Sequence, residues 1–191
     1  QITSILKNLK ENDEIIISDD GSIDNTLTII KSFCDSRIKI IEGPKKGVKQ
    51  NFANAIANCS GKYIFLSDQD DIWLENKVSK VLEVLEERQC TGIVHDCIVV
   101  NEDTTQNLMD SFFEHRKSKS GIIRNIYKNR YLGCCMAFSK DMAKSILPIP
   151  ETIEMHDQWI GLLCEKYGSV YFMKEKLIKY RRHGGNVSAM H

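Results

Sequence analysis

Short apolar runs that stop at carboxylates constrain this chain more than any other feature. Glu14-Ile15-Ile16-Ile17-Ser18 leads into Asp19-Asp20, and Tyr63-Ile64-Phe65-Leu66 leads into Ser67-Asp68-Gln69-Asp70-Asp71. A third run, Arg37-Ile38-Lys39-Ile40-Ile41, precedes the loop at Gly43. Each is short, rich in β-branched residues and bounded by turn formers, as buried strands are. Helical stripes lie between them. Residues 26–33 follow Asp24, a good N-cap; residues 48–58 place Phe52, Ala53, Ile56 and Ala57 on one face. Residues 76–88 turn Val78, Val81, Leu82 and Leu85 inward and their lysines and glutamates outward. The alternation predicts an α/β fold, a mostly parallel sheet with helices on both faces. Ligands of such sheets bind beyond the carboxyl ends of the strands. Both acidic groups, Asp19-Asp20 and Asp68-Asp70-Asp71, fall on that edge.

Clustered carboxylates repel one another unless a cation neutralises them. Oxygen ligands suit a hard ion, Mn²⁺ or Mg²⁺, which commonly keeps substrate phosphates in its shell. The second acidic group therefore points to a metal–phosphate site. The 191 residues suffice for one domain, and 26 basic against 26 acidic residues leave no net charge. Without a basic block, nucleic acid is not an expected partner. The apolar runs are too short to span a bilayer, which leaves peripheral membrane contact open. Seven cysteines without a CxxC pair read as reduced core thiols in a cytoplasmic protein.

The second half is less regular. Residues 102–119 read as loop with a short helix, 121–129 as helix, 133–138 as strand and 140–147 as helix. Residues 156–167 read as helix; 170–172 and 177–182 read as closing strands. The chemistry there lies in Met155-His156-Asp157-Gln158-Trp159 and in Tyr180-Arg181-Arg182-His183-Gly184-Gly185-Asn186-Val187-Ser188.

Taken together these segments resemble the glycosyltransferases of family 2, inverting enzymes with the GT-A nucleotide-sugar fold. The likeness covers nearly the whole chain: the Asp19-Asp20-Gly21-Ser22 turn, the stretch from Gly47 to Gly61, the Asp68-Gln69-Asp70-Asp71 motif, His156-Asp157-Gln158-Trp159 and the closing segment from Tyr180. The wording Asp68-Gln69-Asp70-Asp71-Ile72-Trp73 is most similar to bacterial rhamnosyltransferase-type members that build surface polysaccharides. The resemblance implies a nucleotide-binding half, residues 1–100, and an acceptor-binding half, residues 101–191, in one domain. It implies that Asp19, Asp20 and Gly21 meet the nucleotide base, that Lys49 and Asn51 help at base or phosphates, and that Asp68 binds ribose. Asp70, Asp71 and His183 would hold Mn²⁺ or Mg²⁺, and Asp157 would be the general base. The implied partners are a UDP- or dTDP-type sugar donor and a saccharide or lipid-linked acceptor, at the inner face of the plasma membrane. The family's fold begins with a strand that this sequence lacks, so an unpaired sheet edge and pairing into a homo-oligomer are expected.

Two other readings stay open. Asp68-Gln69-Asp70 after an apolar strand also fits an aspartyl-phosphate phosphohydrolase, although no later lysine and double aspartate complete it. A nucleotide-sugar-binding remnant without turnover is the third. His95 and Asp96 end a strand and read equally as sugar contacts or as a turn.

Overall fold

The computed structural model describes residues 1–184. Gly185, Asn186, Val187 and Ser188 of the closing segment lie outside the described residues. The chain opens with helix α1 (Ile2–Leu6), then alternates β1 (Ile15–Asp19), α2 (Thr26–Ser32), β2 (Ile38–Glu42), α3 (Val48–Asn58) and β3 (Tyr63–Phe65). A two-residue strand, β4 (Ile72–Trp73), follows the second acidic group, ahead of α4 (Lys77–Arg88) and β5 (Gly92–Val100). Next come β6 (Asn107–Met109), α5 (Phe112–Arg116) and α6 (Ile122–Tyr127). A 3₁₀ turn leads into β7 (Met136–Ser139), and α7 (Ala143–Ile146), α8 (His156–Tyr167) and β8 (Val170–Arg181) complete the chain.

The α/β architecture is the one expected, but the sheet is mixed rather than mostly parallel. β1 and β2 pair in parallel, Ile15 opposite Ile38 through Asp19 opposite Glu42. The remaining strands lie in the order β3-β7-β5-β8-β4, with β6 also on β5. Only β5 and β8 are parallel there; β3/β7, β5/β7, β4/β8 and β5/β6 are antiparallel. Alternation along the chain implies parallel neighbours only when successive strands lie side by side. Here β7 inserts between β3 and β5 and breaks that condition. Among the described residues β1 pairs with β2 alone.

Two further expectations change in detail. The segments 92–94 and 97–100 form one strand, and 170–172 and 177–181 form another, which stops short of Arg182. The β5/β8 register shifts beside Asp96, where His95 faces Met173 but Asp96 faces Lys176. Such a bulge breaks the side-chain period without ending the strand. The N-cap of α2 is Asn25, not Asp24, whose Oδ1 instead accepts the Thr26 N–H at 2.9 Å.

β5 is buried on both faces, which explains the apolar residues at successive positions on either side of His95-Asp96. One face carries the main core, running from Ile5 to Tyr180 through Val94, Phe138, Ile146 and Ile160. The other meets α4 through Val81, Leu85 and Ile93. Cys90, Cys97, Cys134, Cys135 and Cys164 are buried free thiols, as read from the sequence, whereas Cys59 is half-buried and Cys34 is exposed rather than in the core. Gly161 lets α8 close on Tyr131: a Cβ there would stand 2.6 Å from the tyrosine ring.

Gly161→Ala should therefore destabilise the chain. The helix-propensity gain of about 1 kcal/mol is outweighed by about 1–3 kcal/mol of overpacking. A urea midpoint that rises in the variant would show that α8 and Tyr131 are not packed this way.

Candidate active site

The second acidic group is held between two strands that diverge from one sheet. Leu66 N–H still bonds Met136 O at 3.0 Å, extending the β3/β7 ladder. Six residues later β4 starts on β8, with Ile72 opposite Lys179. The intervening loop is pinned by its neighbours. Gln1 Nε2 donates to Ser67 Oγ at 3.0 Å and to Asp68 O at 3.1 Å. Asp71 Oδ1 accepts the Arg181 N–H at 3.1 Å. Asp70 Oδ2 lies 2.7 Å from His183 Nε2.

These carboxylates sit in a strongly perturbed field. Asp71 is fully buried, and burial pushes its pKa up to about 6 against the opposing pull of the Cys134 thiol and the Arg181 N–H. Asp68 is partly buried and rises further, to about 7, through desolvation and then repulsion from Asp71, Asp70 and Asp157. Asp68, Asp71 and Cys134 bring one ligand atom each within 4.8 Å of one another. Beneath them lies Lys77, fully buried, its Nζ donating to Cys134 O at 3.0 Å and lying 3.9 Å above the Trp73 ring. Burial lowers its pKa to about 8, while Cys135, Cys134, Asp71 and Asp68 hold its charge in place.

Asp157 occupies the first turn of α8, where the helix dipole favours a negative charge. Its Oδ1 accepts from Asn129 Nδ2 at 2.9 Å and from the Gln158 N–H at 2.7 Å. Burial nevertheless raises its pKa, and burial lowers that of His156 beside it. The His156 ring stacks on Phe52 of α3 with centroids 4.0 Å apart. Gly133 permits this crowding, since a Cβ there would meet His156 Nε2 at 3.2 Å and Asp157 Cβ at 3.5 Å. Gly133 immediately precedes Cys134, whose thiol lies with Asp68 and Asp71, so the two predicted sites adjoin.

The first acidic group shapes two turns at the end of β1. Asp19 Oδ2 accepts the N–H groups of Gly21 and Ser22 at 3.3 and 3.1 Å, and Ser22 Oγ donates to Oδ1. Asp20 takes the N–H of Lys45 at 2.6 Å and of Gly47 at 3.0 Å. Gly21 adopts φ +107°, in the region that favours glycine. Gly43 is packed so closely that a Cβ would meet Asn51 Oδ1 at 2.7 Å and Asp19 O at 2.8 Å. An open hollow of about 290 Å³ lies beside these turns, lined by Asp19, Gly21, Leu27, Ile40, Ile41, Glu42 and Lys45.

Lys49 and Asn51 are committed to the protein's own backbone. Lys49 Nζ donates to Glu151 O at 2.8 Å and Ile153 O at 2.5 Å, and Asn51 Nδ2 to Ser18 O at 2.8 Å. Helix α3 thus ties the β1 turns to the segment that leads into Asp157. His95 and Asp96 are both buried. Asp96 orders α5, accepting from the Cys97 and Phe113 N–H groups and from Ser111 Oγ.

The structure brings Asp68, Asp70, Asp71, His183 and Asp157 together and sets Asp19 and Gly21 on a separate hollow, with Asp20 ordering the Lys45–Gly47 turn. Sequence reasoning missed Lys77, Asn129, Gly133, Gly43 and Cys134. For Lys77 a signal existed: it stands four residues before Val81 and eight before Leu85, on the buried stripe. Asn129 and Gly133 lie in an irregular stretch and gave none.

Residues 2–147 match the family model described as Glycosyl transferase family 2. A putative teichuronic acid biosynthesis glycosyltransferase of Bacillus subtilis, TuaG, is 27% identical over 195 residues, covering 98% of this chain and 75% of that protein. WfgD of Escherichia coli, named as a UDP-Glc:α-D-GlcNAc-diphosphoundecaprenol β-1,3-glucosyltransferase, is 28% identical over 134 residues, 70% of this chain and 51% of that one. The crystal structure of S. aureus TarS 1–349 in complex with UDP-GlcNAc superposes with a TM-score of 0.73 at 16% identity, over 97% of this chain and 54% of that one. The chain thus spans about half the length of several proteins it matches.

Metal-free protein should lose stability as pH rises from about 4 to 7. Folded Asp68 and Asp71 hold their protons to about 7 and about 6, against 3.8 in the unfolded chain. Across that window the folded state binds more protons, so raising the pH favours unfolding, by a few kcal/mol in order of magnitude. Urea titrations at several pH values read the slope, and Asp71→Asn should reduce it. A flat profile in the parent chain would mean that the carboxylates are not buried together.

Proposed function

Because the chain belongs to glycosyl transferase family 2, we propose that it transfers a sugar, with inversion, from a nucleoside-diphosphate donor to a hydroxyl of a saccharide or lipid-linked acceptor. The setting would be bacterial surface polysaccharide synthesis at the cytoplasmic face of the membrane. The observation that carries this reading is that Asp157 packs against Gly133, next to Cys134, whose thiol lies with Asp68 and Asp71. UDP-sugar donors are supported by the names of WfgD and of the TarS complex, and a lipid-diphosphate acceptor by that of WfgD. The family and these relatives leave the phosphohydrolase reading without support.

Each residue has a distinct task. Asp157 accepts the proton of the attacking hydroxyl; a carboxylate with its pKa raised by burial is a better base for this than a solvated one. Asn129 and the Gln158 N–H hold one oxygen and leave the carboxylate fixed in direction. Attack from the side opposite the leaving group inverts the anomeric centre without a covalent intermediate. Asp68 binds the ribose of the donor. Asp19 and Asp20 act on the base through the turns they order around the hollow, and Lys49 and Asn51 act by anchoring α3.

The donor set fits a hard divalent cation: Asp70 with His183, and Asp68 beside them, carry oxygen and imidazole ligands and excess negative charge. Cys134 is a poor third ligand for Mg²⁺, since burial raises its thiol pKa well above the ordinary range. Asp71, deepest and bonded to Arg181, shapes the loop and adds charge from below. When bound, Mn²⁺ or Mg²⁺ neutralises charge on the leaving diphosphate.

A thermal-shift screen of UDP, dTDP and GDP with Mn²⁺ or Mg²⁺ tests the donor. One nucleotide at about a hundred times its Kd should add about 2.7 kcal/mol, and chelator should remove it. Asp157→Asn should keep this shift and lower transfer by about 10²–10⁴-fold; Asp70→Asn should lose the metal-linked part. Metal-linked binding without transfer by the parent chain would identify a non-catalytic binder. No nucleotide shift at all would end the proposal.

A further inference from the structure

Helix α6 is built inside out. Its buried residue is polar: Asn125 is fully enclosed, donating to Lys119 O at 3.1 Å and Gly121 O at 3.0 Å. Its outer surface is apolar, with Ile122 at 38%, Ile126 at 58%, Ile123 at 76% and Tyr127 at 89% exposure. A helix packed against a core in water does the reverse. Clustered exposure of large apolar side chains marks an interaction surface rather than scattered surface residues.

The charge around this face is equally one-sided. Residues 115–130 contain Arg116, Lys117, Lys119, Arg124, Lys128 and Arg130 and no aspartate or glutamate, in a chain of zero net charge. Lys117, Lys119, Arg124 and Arg130 line one open cavity of about 270 Å³ beside the helix. Two carboxylates of α8 reach this segment on its inner side: Glu165 takes the Gly121 N–H on both oxygens at 2.9 Å, and Asp157 accepts from Asn129.

We propose that α6 and its cationic rim dock on an anionic lipid bilayer, with Ile123, Ile126 and Tyr127 entering the headgroup boundary. Apolar side chains flanked by lysine and arginine, with tyrosine between them, are what that boundary accepts. Neither element suffices alone: the apolar face is small, and the basic rim is screened at physiological salt. Together they supply the two signals that stable surface binding needs. No helix among the described residues is long and apolar enough to cross a membrane.

The docking face is tied to the candidate site. Gln158 Nε2 donates to Asn125 O at 2.8 Å and Ile126 O at 3.4 Å, and Asn129, two residues past α6, holds Asp157. Docking would set the Asp157 side of the cleft beside the bilayer. This consequence for acceptor delivery rests on the sugar-transfer reading; the docking itself does not.

Vesicle flotation tests it on the 191-residue chain without any substrate. Vesicles containing phosphatidylglycerol should carry the protein, and vesicles of phosphatidylcholine alone should not. Lys117→Gln/Lys119→Gln/Lys128→Gln should weaken binding on the order of a hundredfold, at about fivefold per lysine. Ile123→Ser/Ile126→Ser should weaken it on the order of tenfold or more, and added salt should weaken it in the parent. These side chains are exposed, so urea midpoints should not move. Absence of vesicle binding by the parent, equal binding to both vesicle types, or indifference to both sets of substitutions would overturn the proposal. So would concentration-dependent dimerisation abolished by Ile123→Ser/Ile126→Ser, which would mark the face as a contact between copies. Failure of nucleotide binding with vesicle binding intact would sink the transfer reading alone.

Discussion

Three carboxylates, Asp68, Asp70 and Asp71, share one loop, and a fourth, Asp157, approaches from another helix. Their repulsion is the constraint to which the surrounding structure answers. The answer from below is Lys77, a buried ammonium whose desolvation is offset by the charges above it. The answer from the side is backbone and imidazole: the Arg181 N–H on Asp71 and His183 on Asp70. Neither Lys77 nor the carboxylates are stable alone in this interior, since removing one partner of a buried charge group leaves the other uncompensated. The charges therefore specify the arrangement, whatever they add to its net stability. Burial first, and repulsion between the carboxylates second, raise the pKa values of Asp68 and Asp71 in spite of Lys77. A site that is still too negative after its own lysine has been counted is one that attracts a cation.

The position of that site was legible in the sequence because three independent rules converge on it. An apolar run locates the strand, the turn formers locate its end, and the carboxylates are conspicuous there. The same holds for α3 and α8, whose observed bounds, Val48–Asn58 and His156–Tyr167, coincide with the helical periodicity. The sheet order was not legible. β7 reaches its place between β3 and β5 through a 3₁₀ turn in an irregular region, and no local pattern records which strands it will separate. Burial of Lys77 is hidden in the sequence by its charge. Its place on the Val81–Leu85 stripe was visible, but a lysine at a helix start ordinarily faces water.

Site roles were less legible than site positions. Asp19 and Asp20 stand at a strand end as expected, yet their oxygens are occupied by the N–H groups of Gly21, Ser22, Lys45 and Gly47. Lys49 and Asn51 are similarly engaged with carbonyls. The sequence pattern alone does not separate a polar side chain that touches a ligand from one that fixes the backbone touching it. In this chain the difference matters, because α3 carries both kinds of link. Asn51 fastens it to Ser18, Lys49 to the segment at Ile153, and Phe52 to His156. A shift of α3 would therefore disturb the β1 turns and the Asp157 turn together.

The same coupling explains why the inverted α6 is tolerated. Six residues that expose three isoleucines and a tyrosine gain little by folding in water, and their helix is too short to hold itself. What holds it is polar and lies on the inner side: Asn125 closes the Lys119–Gly121 turn, and Gln158 closes the far end against α8. Those bonds fix the helix without using its apolar face. Had the isoleucines been turned inward, Asn125 would lose its enclosed partners and Gln158 would lose its acceptors next to Asp157. The polar residues thus serve the candidate site, and the apolar face is left over as a surface whose natural solvent is not water.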